Sequence, residues 1–317
     1  MVLITIMQIT NFDLFFTDTI MEYVFDFGES EPFSAIFEEA DFETSNYVLL
    51  AGSLFLIAVS FLIYAVLRET LLWFIRYFDT GFCLMEKLGE MDYVVTVLRF
   101  LLESCLELSL AGLITVVKLD SSNWANFSDG FSTVLAFVNL VGLVGAPIFL
   151  IVQAHIFHKY YDTNQEVRDK YKTLFEDYRR RSLPSLLYNV VFFLRRYFMV
   201  IILIYLPLHK NLQIFAQLLS TLFVMCYIGY VEPYKEKARN TFEWFNELTV
   251  LVASYALLTF TPWVDDNDTR YLVGWVMIGV VALNMVGNIT MMLVTKLCQA
   301  VTKTRLWYTK RKVKADF

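Results

Sequence analysis

Charge is what this sequence has little of. Only 18% of its 317 residues are charged, where a water-soluble domain carries about a quarter, and 57% are apolar. Mean hydropathy is +0.52. A single soluble globule is excluded, and the class the composition implies is an all-α polytopic membrane protein. Six prolines and twelve glycines leave no room for a long disordered or low-complexity arm. Basic residues are absent before Arg68, whereas Asp13, Asp18, Glu22, Asp26, Glu29, Glu31, Glu38, Glu39, Asp41 and Glu43 precede it. With a net charge of −6, nucleic acid is not an expected partner.

Catalytic signatures are missing as well. Nothing matches a Walker loop, a Rossmann fingerprint, a zinc HExxH or a nucleophile elbow, so neither an enzyme nor a cofactor is expected. His155 and His158 stand three apart with Asp162 nearby, but rings at a membrane interface are a commoner use of such a pair than metal binding. Asp265, Asp266 and Asp268 lack the glycine and the twelfth-position glutamate of a calcium loop. The first twenty residues have no basic n-region and already contain Asp13 and Asp18, so no cleavable signal peptide is expected.

What is abundant is hydrophobic runs of the roughly 20 residues that cross about 30 Å of hydrocarbon as helix. Seven spans are predicted, over residues 47–67, 93–117, 131–157, 186–206, 212–231, 248–262 and 271–295. The third is expected to kink or break at Pro147, which removes a backbone donor and crowds the preceding turn. The sixth is short and must recruit residues from Glu243 onward. A retinal protein would need a lysine deep in the last span, and none is there.

Orientation follows from basic residues, which favour the cytoplasmic side. With the N-terminus outside, twenty basic residues fall in inner connections and the C-terminal tail, against Lys118, Lys210 and Arg270 outside. The sequons at Asn126 and Asn267 then lie outside as glycosylation candidates. Trp73, Trp244 and Trp307 fall near inner boundaries and Trp124, Trp263 and Trp275 near outer ones, as in an aromatic belt. Cys83, Cys105, Cys226 and Cys298 all fall in spans or inside, so no structural disulfide is expected. The outer disulfide usual in rhodopsin-like receptors has no cysteines to form it.

Three regions result: an acidic, aromatic outer segment over 1–46, a transmembrane helical domain over 47–295, and a basic inner tail over 296–317. The outer segment interleaves its acids with nine aromatics, among them Phe25, Phe33, Phe37 and Phe42. It is expected to fold onto the outer ends of the spans or onto a partner chain. Within the longest inner connection, Thr163 and Glu166 form a capping box, and apolar residues then recur at helical spacing to Tyr178. An amphipathic inner helix over 163–181 is expected at the bilayer interface or packed on other inner loops. It ends in Arg179, Arg180 and Arg181, a cluster suited to anionic lipid headgroups.

Charges inside the spans carry the functional signal. Glu103 and Glu107 stand four apart on one face of the second span, with Arg99 four residues further down. Arg195 and Arg196 occupy the fourth span. At 1.5 Å per residue from the outer ends, Glu103 lies roughly 21 Å deep, Glu107 roughly 15 Å and Arg196 roughly 18 Å. Each charge costs roughly 2.5–3.5 kcal/mol at mid-membrane. The cluster is either an ion pathway or a buried ion-pair network holding helices together, with at least one carboxylate–guanidinium contact expected. Asn139, Asn284 and Asn288 are expected to bond between helices, and Gly142 with Ala146 to form a small-residue contact.

Three segments carry a family resemblance. Residues 30–53 read SEPFSAIFEEADFETSNYVLLAGS, an acidic, aromatic stretch ending in Ser-Asn before a span. Residues 185–214 read SLLYNVVFFLRRYFMVIILIYLPLHKNLQI, and residues 240–261 read NTFEWFNELTVLVASYALLTFT. Together they resemble the TRP-like multipass membrane proteins expanded in ciliates, distantly similar to fungal TRP-like and flavin-carrier proteins. Such relatives usually carry a long cysteine-rich ectodomain, where this chain has about 46 residues before its first span. TRP channels place a pore helix between their last two spans, and the eight residues 263–270 are too few for one. The resemblance thus implies a cation channel or transporter whose path is lined by the helices, within one chain or across a homo-oligomer, with Glu103 and Glu107 attracting cations. The alternative is a non-conducting structural or scaffolding subunit of a cell-surface assembly, docked to other membrane proteins through its outer segment.

Overall fold

The computed structural model describes residues 23, 25, 27, 31–38, 42, 44–78, 93–120, 124, 126–163, 165, 174–175, 177–180 and 182–315, with the backbone alone at 36, 94, 298–300 and 302–315. The elements are α1 (Ala35–Glu38), α2 (Tyr47–Leu50), α3 (Gly52–Phe78), α4 (Tyr93–Val117), α5 (Phe127–Tyr160), α6 (Leu183–Leu186), α7 (Tyr188–Tyr205), α8 (Lys210–Val231), α9 (Lys237–Leu258) and α10 (Asn267–Ala315). Six are long and apolar enough to cross a bilayer: α3, α4 from Val95, α5, α7, α8, and α10 as far as Leu297. The chain is thus an all-helical, multispan integral membrane protein.

The remaining long helix, α9, replaces the predicted span 248–262 with a different register. It begins at Lys237 and stops at Leu258, four residues short of Pro262. Glu243, Asn246 and Glu247 lower its hydropathy without opposing helix, since glutamate is a good helix former. The first span also shifts. Asn46 caps the single turn α2 by accepting the Val48 amide, and the long helix α3 starts only at Gly52 and runs to Phe78. Arg68 and Arg76, read from sequence as loop residues, therefore lie within α3. Hydropathy marks where hydrocarbon is, whereas the helix continues wherever backbone bonds and residue propensity allow. Pro147 lies inside α5, which runs unbroken from Phe127 to Tyr160, so the expected break is absent.

The helices form two compact units, residues 1–208 with 233–235, and residues 209–232 with 236–317. In the first, α4 packs on α5 and α7, α7 also packs on α5, and α2 lies against α4 and α5. Close approach of α4 and α5 depends on Gly112, whose missing Cβ would stand 3.1 Å from Asn139 Nδ2 and 3.2 Å from Leu140. Asn139 uses that approach to donate to the Leu108 carbonyl at 2.8 Å. The expected small-residue contact at Gly142 is not made, because nothing lies within 4 Å of the Cβ it lacks, although Ala146 is buried. In the second unit α9 packs on both α8 and α10.

Candidate functional site

The carboxylates sit on α4 because its sequence alternates long apolar runs with one polar residue per turn. Glu103 is exposed and Glu107 half-buried. Opposite them on α7, Arg196 Nη1 donates to two α4 backbone carbonyls, those of Leu102 and Glu103, at 3.0 Å each. Its guanidinium also lies 4.1 Å from the centre of the Phe192 ring, a cation–π placement. The sequence therefore located the right two helices. The expected carboxylate–guanidinium pairing does not appear at Arg196, however: its acceptors among the described residues are backbone carbonyls and not the Glu103 or Glu107 carboxylates. A guanidinium has five donors and no acceptor, and Arg196 satisfies one of its nitrogens by donating to the backbone carbonyls it touches. Arg99 and Arg195 also have interaction partners.

Directly above Glu107 the seam between α4 and α7 is filled from the N-terminal segment. Phe37, 1% exposed, and Phe42 are buried with Leu110 and Ile114 of α4 and Val200 and Ile204 of α7, and Phe33 packs against them. The three rings make edge contacts, 5.2 Å between Phe33 and Phe37 and 5.9 Å between Phe37 and Phe42. Phe25 stacks on Phe131 of α5 at 5.9 Å. The described aromatics of the N-terminal segment thus pack on helices of their own chain, one of the two placements expected for it.

Polar latches hold it. Lys118 Nζ donates to the carbonyls of Pro32 at 2.5 Å and Glu31 at 3.0 Å, with the Glu31 carboxylate 3.6 Å away. Thr115 donates to the Ser45 carbonyl at 2.8 Å. Buried Asn46 accepts from Ser132 Oγ at 2.6 Å and donates to Asp129 at 3.3 Å. Since a buried polar group left unpaired costs about 1–3 kcal/mol, these bonds fix the register of the segment on α4 and α5.

A triad that the sequence did not disclose joins α3 to α4. Buried Arg68 donates to Glu69 at 2.5 Å and to Tyr93 OH at 2.8 Å, and that hydroxyl donates in turn to Glu69. The adjacent Arg-Glu pair in an apolar run was the available signal. Asn246 of α9 accepts from Asn284 and Asn288 of α10 at 2.9 Å each, and Thr249 accepts from Asn284 at 3.2 Å. The interhelical role expected of Asn139, Asn284 and Asn288 holds, with Asn246 as the hub that sequence reading missed.

Elsewhere the candidate residues are dispersed. Asn126 is exposed at the start of α5 and Asn267 exposed as the first residue of α10. Most of the expected helix over 163–181, including Arg181, lies outside the described residues. Leu174, Phe175 and Tyr178 are buried, with Phe175 5.0 Å from Phe157, so these positions pack on protein rather than face a bilayer. Arg180 lies over the Tyr161 ring at 4.1 Å, and His158 Nδ1 donates to the Arg180 carbonyl at 3.2 Å. Arg179 donates its amide to Pro233 at 2.7 Å, where Tyr178 stacks on Tyr234 at 5.1 Å. Cys105 and Cys226 are free thiols. Among the described residues no group of three His, Cys, Asp or Glu side chains could hold a metal ion.

The architecture defines a class, the multispan helical membrane proteins. Beyond that class, no family model, curated protein or solved structure matches the chain.

Proposed function

We propose that this is a TRP-like, non-enzymatic cation channel or transporter of a cell-surface membrane, with a path along the α4 face that carries Glu103 and Glu107. The observation behind this reading is that two carboxylates, one helical turn apart in a spanning helix, show no salt bridge among the described residues, while Arg196 of the facing helix donates to backbone carbonyls. An ion-pair network that merely held helices together would have used them. Carboxylates at this depth need water, a proton or a passing cation.

The proposed topology has seven spans, N-terminus outside and C-terminus inside. Alpha-helix α9 supplies the seventh: its 22 residues reach about 33 Å, and its polar positions turn inward, with Asn240, Glu247 and Ser254 buried and Asn246 bonded to α10. Asn126 and Asn267 are then outside, available to glycosylation, and Arg179, Arg180 and Arg181 inside, near anionic headgroups. Apolar faces left open on α3 and α10, such as Leu62, Leu67, Leu283 and Val286, suit lipid or a second copy in a homo-oligomer. The alternative, a non-conducting scaffolding subunit, would use an outer segment free to dock a partner, whereas Phe33, Phe37 and Phe42 of that segment pack on helices of their own chain.

Cation uptake into liposomes holding the purified full chain tests the reading. Wild type should carry a cation flux above empty vesicles, and Glu103→Gln and Glu107→Gln should each lower it about tenfold, the effect of roughly 1.4 kcal/mol, while helical content is retained. Flux equal to empty vesicles overturns it.

A further inference from the structure

The rings of the N-terminal segment stand in a particular relation to the carboxylates. Leu110 and Ile114 follow Glu107 on α4 by three and seven residues, so they share its face. Both are buried beneath Phe37 and Phe42, and Val200 and Ile204 close the same cluster from α7. Leu106 and Leu113 on α4 and Leu203 on α7 pack around its edge. Tyr47, itself buried, follows immediately where the segment enters α2. Moving along this face from the Asn126 end, an ion meets a continuous apolar layer before it reaches Glu107. A dry layer of this kind is an effective barrier to ions, since hydrophobic constrictions close by dewetting.

The attachment of this layer differs from that of the core beneath it. Its latches among the described residues include a lysine bound to two carbonyls at the surface and hydrogen bonds around Asn46, Thr115 and Ser132. Among the described residues of the segment before α2, the helix that carries Phe37 is the four-residue α1. Segments held by few bonds open at lower free energy than helices buried on several sides.

We propose that Phe33, Phe37 and Phe42 form an intramolecular seal over the α4–α7 seam, one turn above Glu107, which closes the carboxylate face to water and ions from the Asn126 end until the rings lift. The effect of the seal on flux rests on the reading of Glu103 and Glu107 as the cation path. The covering itself can be measured without flux.

The test uses the full chain carrying Leu110→Cys, reconstituted in liposomes and exposed to a water-soluble cationic thiol reagent, with the parent chain as background. In the sealed protein the thiol at position 110 should react slowly. Adding Phe37→Ala and Phe42→Ala should speed labelling about tenfold or more, as expected when two buried rings no longer hold a segment shut. Phe37→Leu with Phe42→Leu, which largely keep apolar volume, should leave it slow. The same alanine pair without the cysteine should raise cation flux, and Glu107→Gln added to it should bring flux down again. Fast labelling at position 110 with all three rings present, or labelling unchanged by the alanine pair in protein of native helical content, overturns the seal. Faster labelling with no flux from any variant leaves the seal standing and overturns the conduction reading instead. Faster labelling with flux present but unaltered by the alanine pair shows a cover that does not gate, and overturns the closure to ions.

Discussion

The two compact units hold their helices together by different means. In the first, α4, α5 and α7 meet through large apolar side chains: Phe157, Phe193, Leu143, Leu150 and Ile114 are all essentially fully buried, and a glycine brings α4 against α5. In the second, α9 and α10 are joined at their centre by three asparagines and a threonine, and the apolar stretch of α10 contributes nothing to a buried core. In lipid there is no hydrophobic drive between helices, so association depends on close packing and on interhelical hydrogen bonds. The first unit relies mainly on packing, and the α9–α10 seam of the second mainly on bonds. The contrast teaches that burial in such a protein is not a measure of cohesion, because α10 is joined to α9 by hydrogen bonds while its apolar stretch has no fully buried residue.

The largest effect should come from the packed unit. Phe157, which contacts Phe175 at 5.0 Å and Tyr161 at 5.1 Å, leaves a cavity when truncated, and Phe157→Ala should cost about 3–5 kcal/mol in denaturant unfolding of the detergent-solubilised protein. In the bonded unit Asn246→Leu removes the shared acceptor of Asn284 and Asn288. The expected loss is only about 1–2 kcal/mol, near the upper range for interhelical bonds in lipid, because Thr249 and the Asn284 side chain still offer acceptors. If Asn246→Leu proved the more damaging of the two, the division between packed and bonded units would fail.

The smallest effect sharpens the comparison at the edge of the bonded unit. Asp266 accepts from the amides of Asp268 and Thr269 at 3.3 and 3.2 Å and from the Thr269 hydroxyl, which caps the start of α10. These bonds, the Thr269 hydroxyl foremost, hold its carboxyl below the ordinary aspartate value. Folding therefore favours the ionised form, so the contribution is complete above the unfolded value, about 3.9, and fades as pH falls through the lower folded one. The melting temperatures of wild type and Asp266→Ala should differ at pH 6 and converge as pH falls below the unfolded aspartate value of about 3.9 and through the lower folded one. A constant gap across that range would show that the cap works without its charge.

How much of this was legible in the sequence varied with the physics involved. The helix carrying Glu103 and Glu107 was placed to the residue, Tyr93–Val117, because a charge-flanked apolar run both inserts in hydrocarbon and forms helix. The end of α3 at Phe78 and the long continuation of α10 were not, since propensity carries a helix past the point where hydropathy falls. The proximity of Arg196 to α4 could be estimated from depth alone. Its choice of carbonyl acceptors could not, because one-dimensional depth says nothing of which way a guanidinium turns. Phe37 and Phe42 announced burial by sitting among acids, yet the groove that receives them is made by Leu110, Ile114, Val200 and Ile204, residues indistinguishable in sequence from lipid-facing ones. Gly112 and Gly142 look alike in sequence, and only the structure separates the one that touches a neighbour from the one that does not.

Helix α10 has 49 residues, about 73 Å of continuous rod, of which hydrocarbon can cover about 30 Å. More than half of it must stand clear of the membrane's interior, and its C-terminal part carries the run from Lys303 to Lys314. Geometry then makes it a lever: pivoting by about 10° at Asn267 sweeps the far end through about 13 Å. A small tilt at Asn267 is thereby amplified along the helix to the stretch that carries these lysines and arginines.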